Sequence, residues 1–296
     1  MEWTIQPASR IDAVSYEIRG TLAKRARELE QLGHEILALN IGNPGAFGFR
    51  TPETMREAVV RNLQRAEPYG HQMGIFPARE AVAMHFQDRG LTETRYHDVV
   101  IGNGVSELVD LSLRALIEPG DEVLIPSPDY PLWSASVVLN GGQPVYYPCR
   151  PEHAFEPDLD ALVNAITPKT RALVVINPNN PTGAVYSKQT LQALADMAKA
   201  HRLVLLADEI YQGIGYDNID MVPLSTLVDD GVCLTFGGLS KVYRACGYRI
   251  GWAVLSGAID HATEYWAAIE KLAALRLSAN MPGQWAVQTA LGGHQS

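Results

Sequence analysis

The sequence has few cysteines, and they are not arranged for structural chemistry. Cys149, Cys233 and Cys246 show no CxxC pairing and no metal-ligand spacing. A disulfide framework is excluded, and a reducing compartment with buried, inert thiols is the expectation. The eight histidines are scattered without ligand pairing, and His34-Glu35 has no second histidine at zincin spacing, so no metal site is expected. There is no excess of basic charge: 24 Lys and Arg stand against 33 Asp and Glu, a net charge of −9, which argues against a nucleic-acid partner. No apolar run is long enough to span a bilayer. The start, Met1-Glu2-Trp3-Thr4-Ile5-Gln6-Pro7, lacks the basic and apolar regions of a signal peptide. A cytoplasmic protein without membrane or nucleic-acid partners is therefore expected. Three catalytic signatures are missing as well. Gly102-Asn103-Gly104 lacks the third glycine of a dinucleotide fingerprint, Gly238-Leu239-Ser240-Lys241-Val242 lacks the last glycine of a nucleophile elbow, and no lysine has a serine three positions before it.

What is present is an ordinary globular composition, 47% hydrophobic over 296 residues, enough for one large domain or two smaller ones. Residues 12–33 show apolar positions at helical spacing (Ala13, Ile18, Leu22, Ala26, Leu29), with Gly33 as the stop. Residues 36–45 read as a short strand running into a turn-rich loop. Amphipathic helices are expected over 106–117, 159–166 and 190–201. Continuous apolar strands are expected over 122–125, 172–177, 203–207, 233–236 and 252–255. Strands without in–out alternation are buried on both faces, and their alternation with helices implies an α/β fold with a mainly parallel sheet.

Open α/β sheets bind ligands beyond the carboxyl ends of their strands. Four polar or glycine-rich clusters stand there: Gly102 to Ser106, Asn177 to Gly183, Asp208 to Tyr211, and Gly238 to Lys241. Lys241 lies in a stretch rich in glycine and aromatics, with Arg249 eight residues on. Most lysines lie on solvated faces. This one reads as an amine for covalent chemistry with a carbonyl, which implies pyridoxal phosphate. Asp208, at the end of a buried strand, fits either a helix N-cap or the counter-ion of a protonated ring nitrogen. Gly104-Val105-Ser106 opens a helix, as an ordinary capped turn or as a phosphate site. Arg249 fits a bidentate contact to the same phosphate or a surface salt bridge, and its apolar flanks, Tyr248 and Ile250-Gly251-Trp252, favour the buried anion contact. Two Asn-Pro steps make the 177–183 loop rigid, with Asn180-Pro181 a candidate cis bond, and would fix an Asn donor. Tyr211 is a second donor or a core tyrosine. Tyr130 is an aromatic that stacks on a flat ring or packs in the core.

These residues resemble a known family. Asn177-Pro178-Asn179-Asn180-Pro181-Thr182-Gly183, Ala207-Asp208-Glu209-Ile210-Tyr211 and the stretch from Leu239 to Arg249 are similar to the motifs of class I/II, fold-type I aminotransferases, the bacterial alanine-type enzymes above all. Asn40 to Gly45, Pro128 to Trp133 and the closing Ala290 to Ser296 agree with them. The resemblance implies that Lys241 holds pyridoxal phosphate covalently and shuttles a proton. It implies that Asp208 pairs with the ring nitrogen, that Asn180 and Tyr211 contact the ring oxygen, and that Tyr130 stacks on the ring. Gly104, Val105, Ser106, Ser240 and Arg249 would bind the phosphate. Gly42 and Asn180 would face the substrate. Tyr69 would reach the phosphate of a partner subunit, which requires a homodimer. Residues 1–45 would form an N-terminal helix and substrate-side segment, and residues 46–296 the large cofactor-binding domain.

Two departures accompany the match. Gly238 stands where many relatives carry a phosphate-binding serine. The family continues for about another hundred residues, a domain-sized piece that forms most of a small domain and carries the arginine clamping the substrate carboxylate. No arginine here is assigned that role, and a largely absent small domain is expected. The implied activity is transamination, L-alanine with 2-oxoglutarate giving pyruvate and L-glutamate, in ping-pong half-reactions. A carbon–sulfur lyase on the same scaffold, or a truncated chain that binds the cofactor with little activity, are the alternatives.

Overall fold

The computed structural model describes residues 3–16 and 20–293. Seven strands form one sheet: β1 (Val99–Gly102), β2 (Glu122–Ser127), β3 (Gln143–Pro148), β4 (Thr170–Ile176), β5 (Val204–Asp208), β6 (Val232–Gly238) and β7 (Gly251–Gly257). Their order is β1-β7-β6-β5-β4-β2-β3. Pairings among β2 to β6 are parallel, while β7 runs antiparallel to both β6 and β1. Every strand but β7 therefore points its carboxyl end to the same edge.

The helices are α1 (Thr21–Gln31), α2 (Glu53–Arg61), α3 (Phe76–Asp88), α4 (Val105–Leu116), α5 (Leu132–Leu139), α6 (Leu159–Ala165), α7 (Lys188–His201), α8 (Thr263–Leu275), α9 (Met281–Gln284) and α10 (Val287–Gly292). Along β4, Ala172, Val174 and Ile176 face a core with α4, α5 and α8. Leu173 and Val175 face the opposite core, with α6 and α7. Both faces are thus covered, which is why the strand reads as an unbroken apolar run. A third cluster packs α2, α3 and α10 against Val99, Ile101, Trp252 and Val254 of β1 and β7. Side chains cap three of these helices: Asp158 accepts from Ala161 N–H at 3.0 Å, Ser187 from Thr190 N–H at 3.2 Å and Asn280 from Gly283 N–H at 3.0 Å.

Each expected internal helix and strand is found, with ends shifted by a few residues. The amino-terminal reading is corrected. The helix over 12–33 is shorter, Thr21–Gln31, preceded by a 3-10 turn at Ser9–Ala13; residues 17–19, with Ile18, lie outside the described residues. Gly33 at φ 89° follows its end, where a left-handed residue suits glycine. No strand forms over 36–39. Leu37 and Leu39 are exposed, and the segment pairs with no strand of the sheet. His294 to Ser296 of the closing motif also lie outside the described residues. No described helix is long and apolar enough to cross a membrane.

Candidate active site

The four clusters and the end of β2 meet at the common carboxyl edge. At its centre Lys241 Nζ donates to the Gly42 carbonyl at 3.2 Å and lies 5.9 Å from the centroid of the Tyr211 ring. An ideal Cβ on Gly42 would sit 3.4 Å from that nitrogen, so the chain at 42 passes directly against the amine. The N-terminal segment and the lysine, 199 residues apart, are brought together here.

Asp208 ends β5 and is 3% exposed. The N-cap alternative is not what it does: a turn follows it, and no helix. Its Oδ2 accepts from the Trp133 indole N–H at 3.0 Å and its Oδ1 from Ile210 N–H at 3.3 Å. Burial pushes its pKa up; the two donors and the Lys241 charge oppose that rise. Tyr130 and Tyr211 both titrate above the usual tyrosine range, first through burial. For Tyr130 a hydrogen bond with Tyr16 adds to this, and the Asp208 carboxylate acts on both.

The turn before α4 forms a cradle open to solvent: Arg249, expected to be buried, is exposed, because it is its apolar neighbour Ile250 that turns into the core. Gly104 has φ 82°, and an ideal Cβ there would lie 2.5 Å from Arg249 Nη2. Arg249 itself is left-handed at φ 51° and donates to the Asn103 carbonyl at 3.4 Å, so its guanidinium lies over the start of the helix. Glu107 accepts from Asn103 N–H at 2.7 Å and from its side chain at 2.9 Å, and pairs with Arg276 at 3.0 Å. Backbone N–H groups at Val105 and Ser106 with a guanidinium above them suit a dianionic phosphate. In the 177–183 loop, Asn179 Oδ1 accepts from Thr182 N–H at 3.1 Å and from its hydroxyl at 2.8 Å, and Asn177 Oδ1 accepts from Tyr186 N–H at 2.9 Å. The loop thus braces itself and presents half-buried Asn180; Asn177–Pro178 and Asn180–Pro181 are both cis.

Gly238 is explained by the sheet. A Cβ there would stand 2.8 Å from the Ile250 carbonyl across the β6–β7 pairing, so a serine does not fit. Tyr69 is not brought to the site; it is 78% exposed on the surface. The inert-thiol reading holds for Cys149 and Cys233, both buried, with the Cys233 thiol pushed up to about 12. It does not hold for Cys246, which is half-buried with Sγ 2.8 Å from the Ser240 carbonyl beside Lys241. Among the described residues no three His, Cys, Asp or Glu group to hold a metal ion.

Sequence reasoning assigned no role to Trp133, Tyr16 or Glu107. None of the three ends an apolar run, and Trp133 and Tyr16 make their hydrogen bonds with residues far away in the chain.

A buried carboxylate, an amine with a carbonyl-lined approach and an anion cradle, all on one edge, fit pyridoxal phosphate. The chain belongs to the class I and II aminotransferase family, whose profile matches residues 34–296. It is thus a pyridoxal-phosphate-dependent aminotransferase with the fold of that family. Among its relatives are glutamate-pyruvate aminotransferase AlaA of Escherichia coli, 48% identical over 99% of this chain and 72% of the relative, and the alanine aminotransferase of Mycobacterium bovis, 49% identical over 98% of this chain and 68% of the relative. An aminotransferase crystal structure from Escherichia coli superposes with a TM-score of 0.96 at 47% identity, covering 99% of this chain and 73% of that one. An alanine aminotransferase from Pyrococcus furiosus gives 0.94 at 36%, covering 98% and 73%.

Proposed function

We propose that the protein transfers the amino group of L-alanine to 2-oxoglutarate, giving pyruvate and L-glutamate in two half-reactions at one site. The support for this substrate pair is the 48–49% identity to relatives named for alanine and for glutamate–pyruvate. The observation that carries the residue roles is Lys241 Nζ set between the Gly42 carbonyl and the Tyr211 ring, beside buried Asp208.

Pyridoxal phosphate, held covalently at Lys241, supplies an electron sink for the substrate Cα–H bond. Asp208 holds a proton on the ring nitrogen, which deepens that sink. Asn180 and Tyr211 donate to the ring oxygen, and Tyr130 packs against the ring. Val105 and Ser106 N–H, the Ser106 and Ser240 hydroxyls and Arg249 bind the phosphate, with Gly104 leaving room for the guanidinium. The Lys241 amine would hold and move the substrate Cα proton. Gly42 and Asn180 face the substrate, so residues 1–45 act as a substrate-side segment on the domain of residues 46–296. Tyr69, exposed in one subunit, reaches the phosphate of a second copy in a homodimer. The acidic charge and the unpaired thiols favour a cytoplasmic enzyme without nucleic-acid or membrane partners.

Pyruvate formation from L-alanine, coupled to an NADH-consuming reductase, tests this reading. Turnover is expected only with 2-oxoglutarate present and is lost in Lys241→Ala, where proton transfer alone accounts for roughly 10²–10⁴-fold. Pyruvate from L-cystathionine without any oxo-acid acceptor would instead establish a carbon–sulfur lyase.

A further inference from the structure

The Trp133–Asp208 hydrogen bond spans 75 residues of sequence and is fully buried. Trp133 is 0% exposed at the second position of α5, and its ring meets Phe236 of β6 edge-on, with centroids 5.4 Å apart and planes at 77°. Phe236 lies five residues before Lys241 on the same strand and its exit. The indole is therefore clamped between the strand that leads to the lysine and the aspartate at the end of the neighbouring strand. Its N–H is a donor that neither accepts nor titrates. A carboxylate with one in-chain donor on each oxygen still has lone pairs for a ring nitrogen.

We propose that Trp133 is a positioning residue for the cofactor: its indole N–H fixes the Asp208 carboxylate in the orientation that meets the ring nitrogen and holds it in the charged form. This rests on the reading of the same edge as the pyridoxal phosphate site. The groups that act on Asp208 are few. Lys241 favours its charge. The carboxylate of Glu209, next in the chain, opposes it, and the Tyr130 and Tyr211 phenols lie close by. With the indole donor removed, one buried oxygen loses its partner while the desolvation remains, so Asp208 protonates at higher pH.

Two variants test this, each as the full chain. Trp133→Phe removes the donor with a small loss of volume. Site-specific replacement of Trp133 by benzothienylalanine puts sulfur in place of the N–H and keeps the ring's shape. The readouts are the dissociation constant of added pyridoxal phosphate from pH 5 to 8.5 and thermal melting of the cofactor-free protein. Both variants are expected to bind about tenfold more weakly at neutral pH, with the acid limb of binding moved up by about one pH unit. The benzothienylalanine protein is expected to melt as a folded protein, which separates the lost bond from lost packing. A folded analogue with unchanged affinity and an unmoved acid limb would overturn the proposal. Wild-type protein that binds no pyridoxal phosphate would instead overturn the cofactor reading beneath it.

Discussion

Glu209 follows Asp208 in the chain but is not held as its neighbour is. It lines a cavity of about 350 Å³ with Arg89, Gln212 and Thr235. Its Oε1 accepts from Leu224 N–H at 2.8 Å, and its Oε2 is buried without a partner. Burial raises its pKa from 4.5 to about 7, with the Leu224 N–H and the Arg89 charge opposing the rise and Asp208 adding to it. A carboxyl whose folded pKa lies above the unfolded one binds its proton more tightly when folded. Its contribution to stability is therefore highest below pH about 4.5 and is lost as pH rises to about 7. Glu209→Gln keeps an acceptor for Leu224 and removes the charge. It is expected to stabilise the protein by up to a few kcal/mol at pH 8 and by much less at pH 5. Thermal melts at the two pH values check it; equal gains would show that the side chain is not charged in the fold at pH 8. At this scale the sequence was readable where a polar residue ends an apolar run. Lys241, Asp208 and the Gly104 turn all stand out that way. Trp133 and Tyr16 do not, because their hydrogen bonds are made with residues far away in the chain.

Strands were legible for a related reason. Val204–Asp208 and Thr170–Ile176 are central, covered on both faces, and carry the apolar runs that this requires. The strands that gave no signal are the two at the sheet edges. Val99–Gly102 has only four residues, and Gln143–Pro148 carries two prolines and a polar start with most of its residues partly exposed. Edge strands tolerate such residues because one side of their backbone is unpaired. The expected strand at 36–39 erred in the opposite direction: its apolar residues mark surface and not sheet. The β6–β7 pairing also yields a prediction that opposes motif reasoning. Restoring the family's serine by Gly238→Ser would bring its Cβ against the Ile250 carbonyl and the Gly251 Cα, both backbone. The expected outcome is a loss of about 1–3 kcal/mol, as for overpacking, and no gain in cofactor affinity. Denaturant unfolding and cofactor titration measure the two effects; tighter binding at unchanged stability would show that the strands separate readily.

Over the whole molecule, the amino-terminal segment carries apolar residues that the chain itself does not cover. Helix α1 has no buried residue, and Leu22, Leu37, Leu39 and Tyr69 are each at least 70% exposed. Large apolar side chains left uncovered in one segment are candidates for a contact surface. It agrees with the proposal that a second copy covers this side and that Tyr69 completes the phosphate site of that copy. If so, Tyr69→Phe removes a hydrogen bond to a charged group, worth about 1.5–3 kcal/mol, or roughly 10–100-fold in cofactor affinity. Co-expression of Tyr69→Phe chains with Lys241→Ala chains, each carrying its own tag, gives a sharper test. Neither chain alone forms a complete site. In a mixed dimer, the site with Lys241 receives an intact Tyr69 from the other copy, and one tight, covalently loaded site per dimer is expected. Were Tyr69 to act within its own chain, that site would stay weak and the other would lack its lysine. Absorbance of the bound cofactor in purified mixed dimers therefore separates a shared active site from a self-contained one.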